Sequence, residues 1–309
     1  MFRYILRRFL MMIPVLLAVS FVVYYLMDLA PGDIVSTMAP QDATEAEIQL
    51  LRVEAGLDGS LPRRYIRYVG NLLKGDLGMA YSLKQPVADV FFSRFPATLK
   101  LALASVVVAL VISIPLGIAA ATHHRSWLDG ISMVAAMLGL SMPGFWLGLL
   151  LIMGFSLKLG LFPSGGSSGW LSLVLPAITL GAGQAGNLTR ITRSSMLEVI
   201  RQDYLRTARA KGVTEKMVIR KHALYNALIP IITVFGSTLG NALGGAVAIE
   251  TVFAWPGVGR LTVQAINSRD MALATGCIIM FTMFLTLTLL LVDIAYAYVD
   301  PRIKARYSK

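Results

Sequence analysis

The chain has little of what metal sites, disulfide scaffolds and acid–base catalysts are made from. Of its 309 residues only 15% are charged, three are histidine (His123, His124, His222) and one, Cys277, is cysteine. A single cysteine forms no intrachain disulfide and no thiolate metal cluster. Cys277 lies in an apolar run, where it reads as a small packed hydrophobe. There is no HExxH sequence and no paired-cysteine motif. There is also no GxxxxGK[ST] loop, so the chain is not expected to hydrolyse ATP or to be an enzyme. The serines of the 165–169 run, Gly-Gly-Ser-Ser-Gly, have no histidine nearby on the same side and read as linker rather than nucleophile.

What the chain does have is long apolar runs. It is 56% hydrophobic with a mean hydropathy of +0.68, against about 45–50% apolar in an ordinary soluble domain. Segments near 9–29, 97–121, 131–157, 171–194, 228–249 and 273–297 are each long enough to cross about 30 Å of hydrocarbon. The expectation is an all-α polytopic membrane protein with six transmembrane helices. Pro115 predicts a kink in the second and Pro143-Gly144 in the third. Glycines cluster in the fourth (Gly181, Gly183, Gly186) and the fifth (Gly236, Gly240, Gly244, Gly245), a spacing that lets helices approach closely. Tight packing is the preferred reading, with a pore-lining role as the other. Phe9–Met27 is long for a cleaved signal and no clear small-x-small pattern precedes Pro31, so the N-terminus reads as an uncleaved anchor. Asp293, inside the last segment, is a functional candidate by position; a carboxylate near the interface is the preferred alternative.

The net charge is +11 with a pI near 9.9, which raises nucleic-acid binding. The placement of the charge answers that. With the N-terminus inside, Arg3, Arg7 and Arg8, Arg125, the cluster from Arg190 to Lys221 and the basic C-terminus all fall on the cytoplasmic side. The short outer loops hold only Lys158, Arg260 and Arg269. This is the positive-inside pattern, so both termini are expected in the cytoplasm and no nucleic-acid partner is needed. The organisation expected is a first helix over 1–29, a small extracytoplasmic domain over 30–96 and a membrane core over 97–309. Within the outer domain, Thr44 with Glu47 has the capping-box spacing. Residues 61–73 place Tyr65, Val69, Leu72 and Leu73 on one helical face. Pro31-Gly32, Asp58-Gly59 and Trp255-Pro256-Gly257 are turn signals, and the glycine-rich 160–170 loop reads as flexible.

One polar stretch between apolar runs stands out: 203–230, DYLRTARAKGVTEKMVIRKHALYNALIP. Asp203 is positioned to cap a helix over Tyr204–Lys211, and Gly212 suits the left-handed residue that ends it. Thr214 can cap a second helix with Glu215 in its first turn. Pro230 falls where the fifth span starts and its lost N–H is harmless. The form expected is helix, glycine turn, helix on the cytoplasmic face. The alternatives are a basic helix on lipid headgroups or a plain loop; a DNA-reading helix-turn-helix has no room so near the membrane.

The segment resembles the EAA loop of ABC-importer permeases, E-A-A-x3-G-x9-I-x-L-P. Arg206-Thr207-Ala208 stand at E-A-A, Gly212 at G, His222 at I, Leu224 at L and Tyr225 at P. The Glu, first Ala, Ile and Pro are replaced, as is typical of the oligopeptide/dipeptide/nickel branch, whose RTARAKG and HALxNALxP stretches stand here at 206–212 and 222–230. Arg7-Arg8 with the Leu-Ala-Pro-Gly of 29–32, RITRSSMLEV at 190–199, ETVFAWPGVGRL at 250–261 and YAYVDPRIK at 296–304 are similar to that branch too, most of all to its "B" subunit. The resemblance implies a type I importer permease fold in a bacterial or archaeal plasma (inner) membrane. It also implies a second homologous permease, one or two cytoplasmic ATPase subunits that bind ATP and Mg, and an extracytoplasmic solute-binding protein that delivers di- or oligopeptides. Arg206, Thr207, Ala208, Arg209, Lys211, Gly212, His222 and Leu224 would couple to the ATPase, with Ala208 and Gly212 allowing close approach. The same pore for nickel-chelate, glutathione or oligosaccharide is the alternative within the family; outside it stand a secondary transporter, which would work without ATPase subunits, and an intramembrane enzyme.

Overall fold

The computed structural model describes residues 2–29, 34–35 and 43–299. The Pro31-Gly32 turn, the end of the 296–304 stretch and the side chain of Asp293 lie outside the described residues. The fold is helical. In chain order come α1 (Phe2–Leu29), α2 (Glu45–Glu54), α3 (Leu61–Leu73), a two-residue hairpin of β1 (Met79–Ala80) and β2 (Gln85–Pro86), and α4 (Val87–Thr122). Next are α5 (Trp127–Ser141), α6 (Gly144–Leu151) running on as a π-helical stretch Ile152–Lys158, α7 (Leu171–Ile200) and α8 (Asp203–Ala210). The chain continues through α9 (Glu215–Met217), a π-helical stretch Val218–Ala223, α10 (Leu224–Val252), α11 (Val258–Asn267) and α12 (Met271–Val299).

Five helices are long and apolar enough to cross a membrane, and a bent pair makes a sixth span. That pair, α5 with α6 and its π continuation, is the third segment predicted from sequence. What was expected as a kink is a break of 104°. The cause is local. Pro143 has no N–H to continue α5, and its ring forces Met142 into extended backbone (φ −78°, ψ 124°). Pro115, by contrast, lies within α4, which continues unbroken through it.

The described residues pack as two compact units, one within 1–98 with 256–290 and one within 99–255 with 291–299. In the first, Leu77, Ala80, Val87, Phe91, Leu261 and Cys277 share one buried core, so Cys277 is the packed hydrophobe expected. Asp270, fully buried, ties the hairpin to α12: its carboxylate accepts from the Ser82 N–H and hydroxyl at 2.8 Å each and from the Leu273 N–H at 3.1 Å. The Thr44–Glu47 capping box forms as predicted. α3 lies on α1 through Tyr65, whose hydroxyl donates to the Leu17 carbonyl at 3.0 Å, and through an Arg64–Asp28 pair at 2.7 Å. Leu73, expected on the packed face, is 83% exposed; the half-buried face is Tyr65, Tyr68, Val69 and Leu72.

In the second unit the glycines of α7 are contact points. A methyl at Gly181 would stand 2.6 Å from the Ser105 carbonyl of α4, and one at Gly186 would overlap the Ala136 carbonyl of α5. Tight packing, the preferred reading, is what these two positions do. The 160–170 loop is held rather than flexible: the Gly166 N–H donates to the Phe253 carbonyl at 2.8 Å, and a Cβ on Gly165 would stand 2.5 Å from the same oxygen.

Candidate functional site

The 203–230 segment is built from α8, a glycine turn and the start of a long rising helix. α8 begins one residue earlier than its sequence signals: Gln202, not Asp203, is the N-cap, without a side-chain bond. Asp203 is the first helical residue, where its carboxylate still meets the positive end of the helix dipole. At the other end Gly212 has φ +77°. Its N–H donates to the Arg209 carbonyl at 3.0 Å, and the Val213 N–H reaches the Ala208 carbonyl at 3.3 Å. These are the paired bonds of a Schellman stop, so the glycine does what its position predicted. Thr214 then stands at the N-cap of α9, but its side chain caps nothing.

The second helix is not separate. One α turn passes into the π-helical stretch and on into α10. Pro230 therefore lies inside α10 rather than at a helix start, because the apolar span begins partway along an already formed helix. Across the turn, Arg209 grips Glu215 with two bonds of 2.9 and 2.8 Å. That guanidinium holds the Glu215 carboxyl below its ordinary range and is itself raised.

α8 is anchored by its underside. Leu205 is fully buried with Ala121 of α4, Met196 of α7, Val218 and Ala223 of the π-helical stretch, and Ala227 of α10. Ala208 and Leu224 pack against the same core, so the small side chain of Ala208 serves inward packing. Arg206, Thr207, Lys211 and Gly212 are exposed, and Arg209 and His222 are half-buried. A second attachment is polar. The Asn226 side-chain amide donates to the Tyr204 hydroxyl and to the His222 carbonyl, both at 2.9 Å, and the Tyr204 hydroxyl lies 3.4 Å from that carbonyl. Leu205, Tyr204 and Asn226 were not singled out from sequence. A lone leucine flanked by polar residues, and an asparagine one turn after His222, were the available signals.

A further cluster joins the α4–α5 turn to α7. Arg193 donates to both Asp129 oxygens at 2.6 and 2.7 Å, the Arg125 N–H adds a bond at 3.1 Å, and His124 Nδ1 lies 3.3 Å from the same carboxylate. Asp129 is buried and fully engaged. Among the described residues no group of three His, Cys, Asp or Glu is arranged to hold a metal.

A membrane-spanning helical core with a polar, basic helix seated on the ends of three spans is an arrangement suited to a transport permease. Residues 113–305 match the family described as binding-protein-dependent transport system inner membrane component, and residues 1–102 match its N-terminal family. The chain belongs to that family, the permease subunits of ABC importers. It is 41% identical over 304 residues to the glutathione transport system permease protein GsiC of Escherichia coli K12, covering 98% of this chain and 99% of that one. The protein of the same name in Pectobacterium atrosepticum is also 41% identical over 304 residues, with the same coverage. In fold, an inward-facing MetNI methionine ABC transporter superposes with a TM-score of 0.59 at 20% identity, over 68% of this chain and 96% of that chain. An amino acid ABC transporter gives a TM-score of 0.52 at 15% identity, over 70% and 94%.

Proposed function

We propose that this permease forms, with a second homologous permease, the translocation path for di- or oligopeptides handed over by an extracytoplasmic solute-binding protein. In this reading both termini face the cytoplasm, and one or two ATPase subunits there bind ATP and Mg and perform the hydrolysis. Lipid and these subunits are its partners; nucleic acid is not. The observation that carries the reading is α8: Leu205 fixes it to the ends of α4, α7 and α10, while Arg206, Thr207 and Lys211 remain outside. A helix so fixed passes a push on its outer face directly to three spans. Arg206 and Lys211 offer positive charge to an acidic groove, with Gly212 allowing close approach. The relatives at 41% identity are glutathione permeases, and glutathione is itself a tripeptide, so it stands as the second reading with the same chemistry.

The test is reconstitution with native partners. Reversing both charges, Arg206→Glu with Lys211→Glu, is expected to cut ATP-driven peptide import and ligand-stimulated ATPase activity by at least about tenfold, with the permease still in the membrane. Import by this chain without any ATPase subunit would sink the proposal.

A further inference from the structure

The second unit contains a cavity of about 290 Å³ at the break in the third span. Gln184 of α7 and Asn241 of α10 line it, and Gly144, Gly183 and Gly245 at its walls leave it open. Both polar atoms of the Gln184 carboxamide are shielded from solvent and have no hydrogen-bond partner. Leaving such a group unpaired is destabilising, and hydrocarbon offers nothing in return. Thr179, also in the wall, is satisfied, since its hydroxyl donates to the Leu175 carbonyl at 2.7 Å. Gln184 is thus a polar group inside a membrane span without a protein partner, and a turn of its side chain is needed to bring the amide from its shielded position into the cavity.

Two further observations point the same way. On α10, Ser237, Asn241, Gly244, Gly245 and Ala248 are exposed along one face at helical spacing. A lipid-facing surface is apolar, as α1 shows with exposed Phe9, Leu10, Ile13, Leu17 and Phe21; the α10 face is made for something else. And α6 starts at the cavity, with Gly144 and Phe145 in its wall. A half-helix that begins within a membrane aims the positive end of its dipole at a carbonyl or carboxylate oxygen.

We propose that Gln184 and Asn241 form a substrate-reading station within the membrane, which takes the peptide bonds and terminal carboxylate of a peptide in transit. A carboxamide donates to a peptide carbonyl and accepts from a peptide N–H at once, so the pair reads the backbone shared by all peptides and ignores side chains. The inference rests on the peptide reading above and adds the residues that contact the cargo.

The experiment uses the whole importer in proteoliposomes with a dipeptide and a tripeptide as probes. Gln184→Met keeps length and volume and removes the amide; Asn241→Leu does the same for its partner; Gln184→Asn keeps the amide on a shorter arm. Peptide import by Gln184→Met and Asn241→Leu is expected to fall by about tenfold, with ATPase stimulation by the loaded binding protein close to wild type and with partial recovery in Gln184→Asn. Wild-type import by both amide-free variants would overturn the station. So would a loss of ATPase stimulation in parallel with import, which would mark a merely structural role. A wild-type complex that imports no peptide overturns the peptide reading first, and the wild-type lane tells the two failures apart.

Discussion

Two short polar helices, α2 and α8, are held in opposite ways. α2 is sustained by its own ends: the Thr44 N–H donates to the Glu47 carboxylate at 2.8 Å, the Glu47 N–H reaches back to the Thr44 hydroxyl at 3.4 Å, and no residue of the helix is buried. α8 has no side-chain cap at its start and relies on Leu205 beneath it and on the Tyr204–Asn226 bond beside it. A helix stabilised locally can shift without disturbing its neighbours. A helix stabilised by what it rests on cannot move without moving them. The second kind is what force transmission requires, and it is the kind found where the family resemblance places the contact with the ATPase.

Four substitutions test this contrast. The largest effect is expected from Leu205→Asp, which places a carboxylate in a sealed apolar site; truncation of a buried leucine alone costs about 2–5 kcal/mol. We predict that import falls to background while the chain stays in the membrane, and import at the wild-type rate would end the idea that α8 acts through its underside. A smaller effect is expected from Asn226→Leu, which removes two bonds at a cost of roughly 1–3 kcal/mol. Import per ATP hydrolysed should drop, with Tyr204→Phe showing the same change in weaker form; equal import-to-ATP ratios in all three proteins would contradict it. The smallest belongs to α2. Thr44 holds the Glu47 carboxyl below its ordinary value, the backbone bond leading and the hydroxyl bond adding to it. A depressed carboxyl stabilises the fold above its unfolded pKa, and that contribution is lost as pH falls through the folded one. Amide protection across 45–54, taken relative to the intrinsic exchange rate at each pH, should therefore fall as acid titrates the Glu47 carboxylate, and Thr44→Ala should lower it at neutral pH without changing import. Loss of import in Thr44→Ala would erase the distinction between the two helices.

The same contrast decides what the sequence made legible. The capping box and the stop at Gly212 depend on residues three to five apart, and both were read correctly. The spans were readable because apolar runs need no partner to be recognised. Leu205, Asn226 and Asp129 draw their roles from residues distant along the chain, Ala121 for the first, Tyr204 for the second and Arg193 for the third, which local spacing does not encode. Pro143 announced a kink, but its size depends on Met142 turning extended and on what packs around the break. Gln184 carried a signal too, a carboxamide within an apolar run, but only the folded chain shows that its amide has no partner.

The glycine contacts of α7 carry a mechanical consequence. Where helices meet carbonyl against Cα, no layer of side chains remains to act as a bearing, so α7 cannot ratchet along α4 or α5 by small steps. Arg193 pins the same helix to Asp129 at a further point. These helices therefore have the character of a stiff truss, and any swing between access states must be taken up at a softer joint, the open corner at Met142–Pro143.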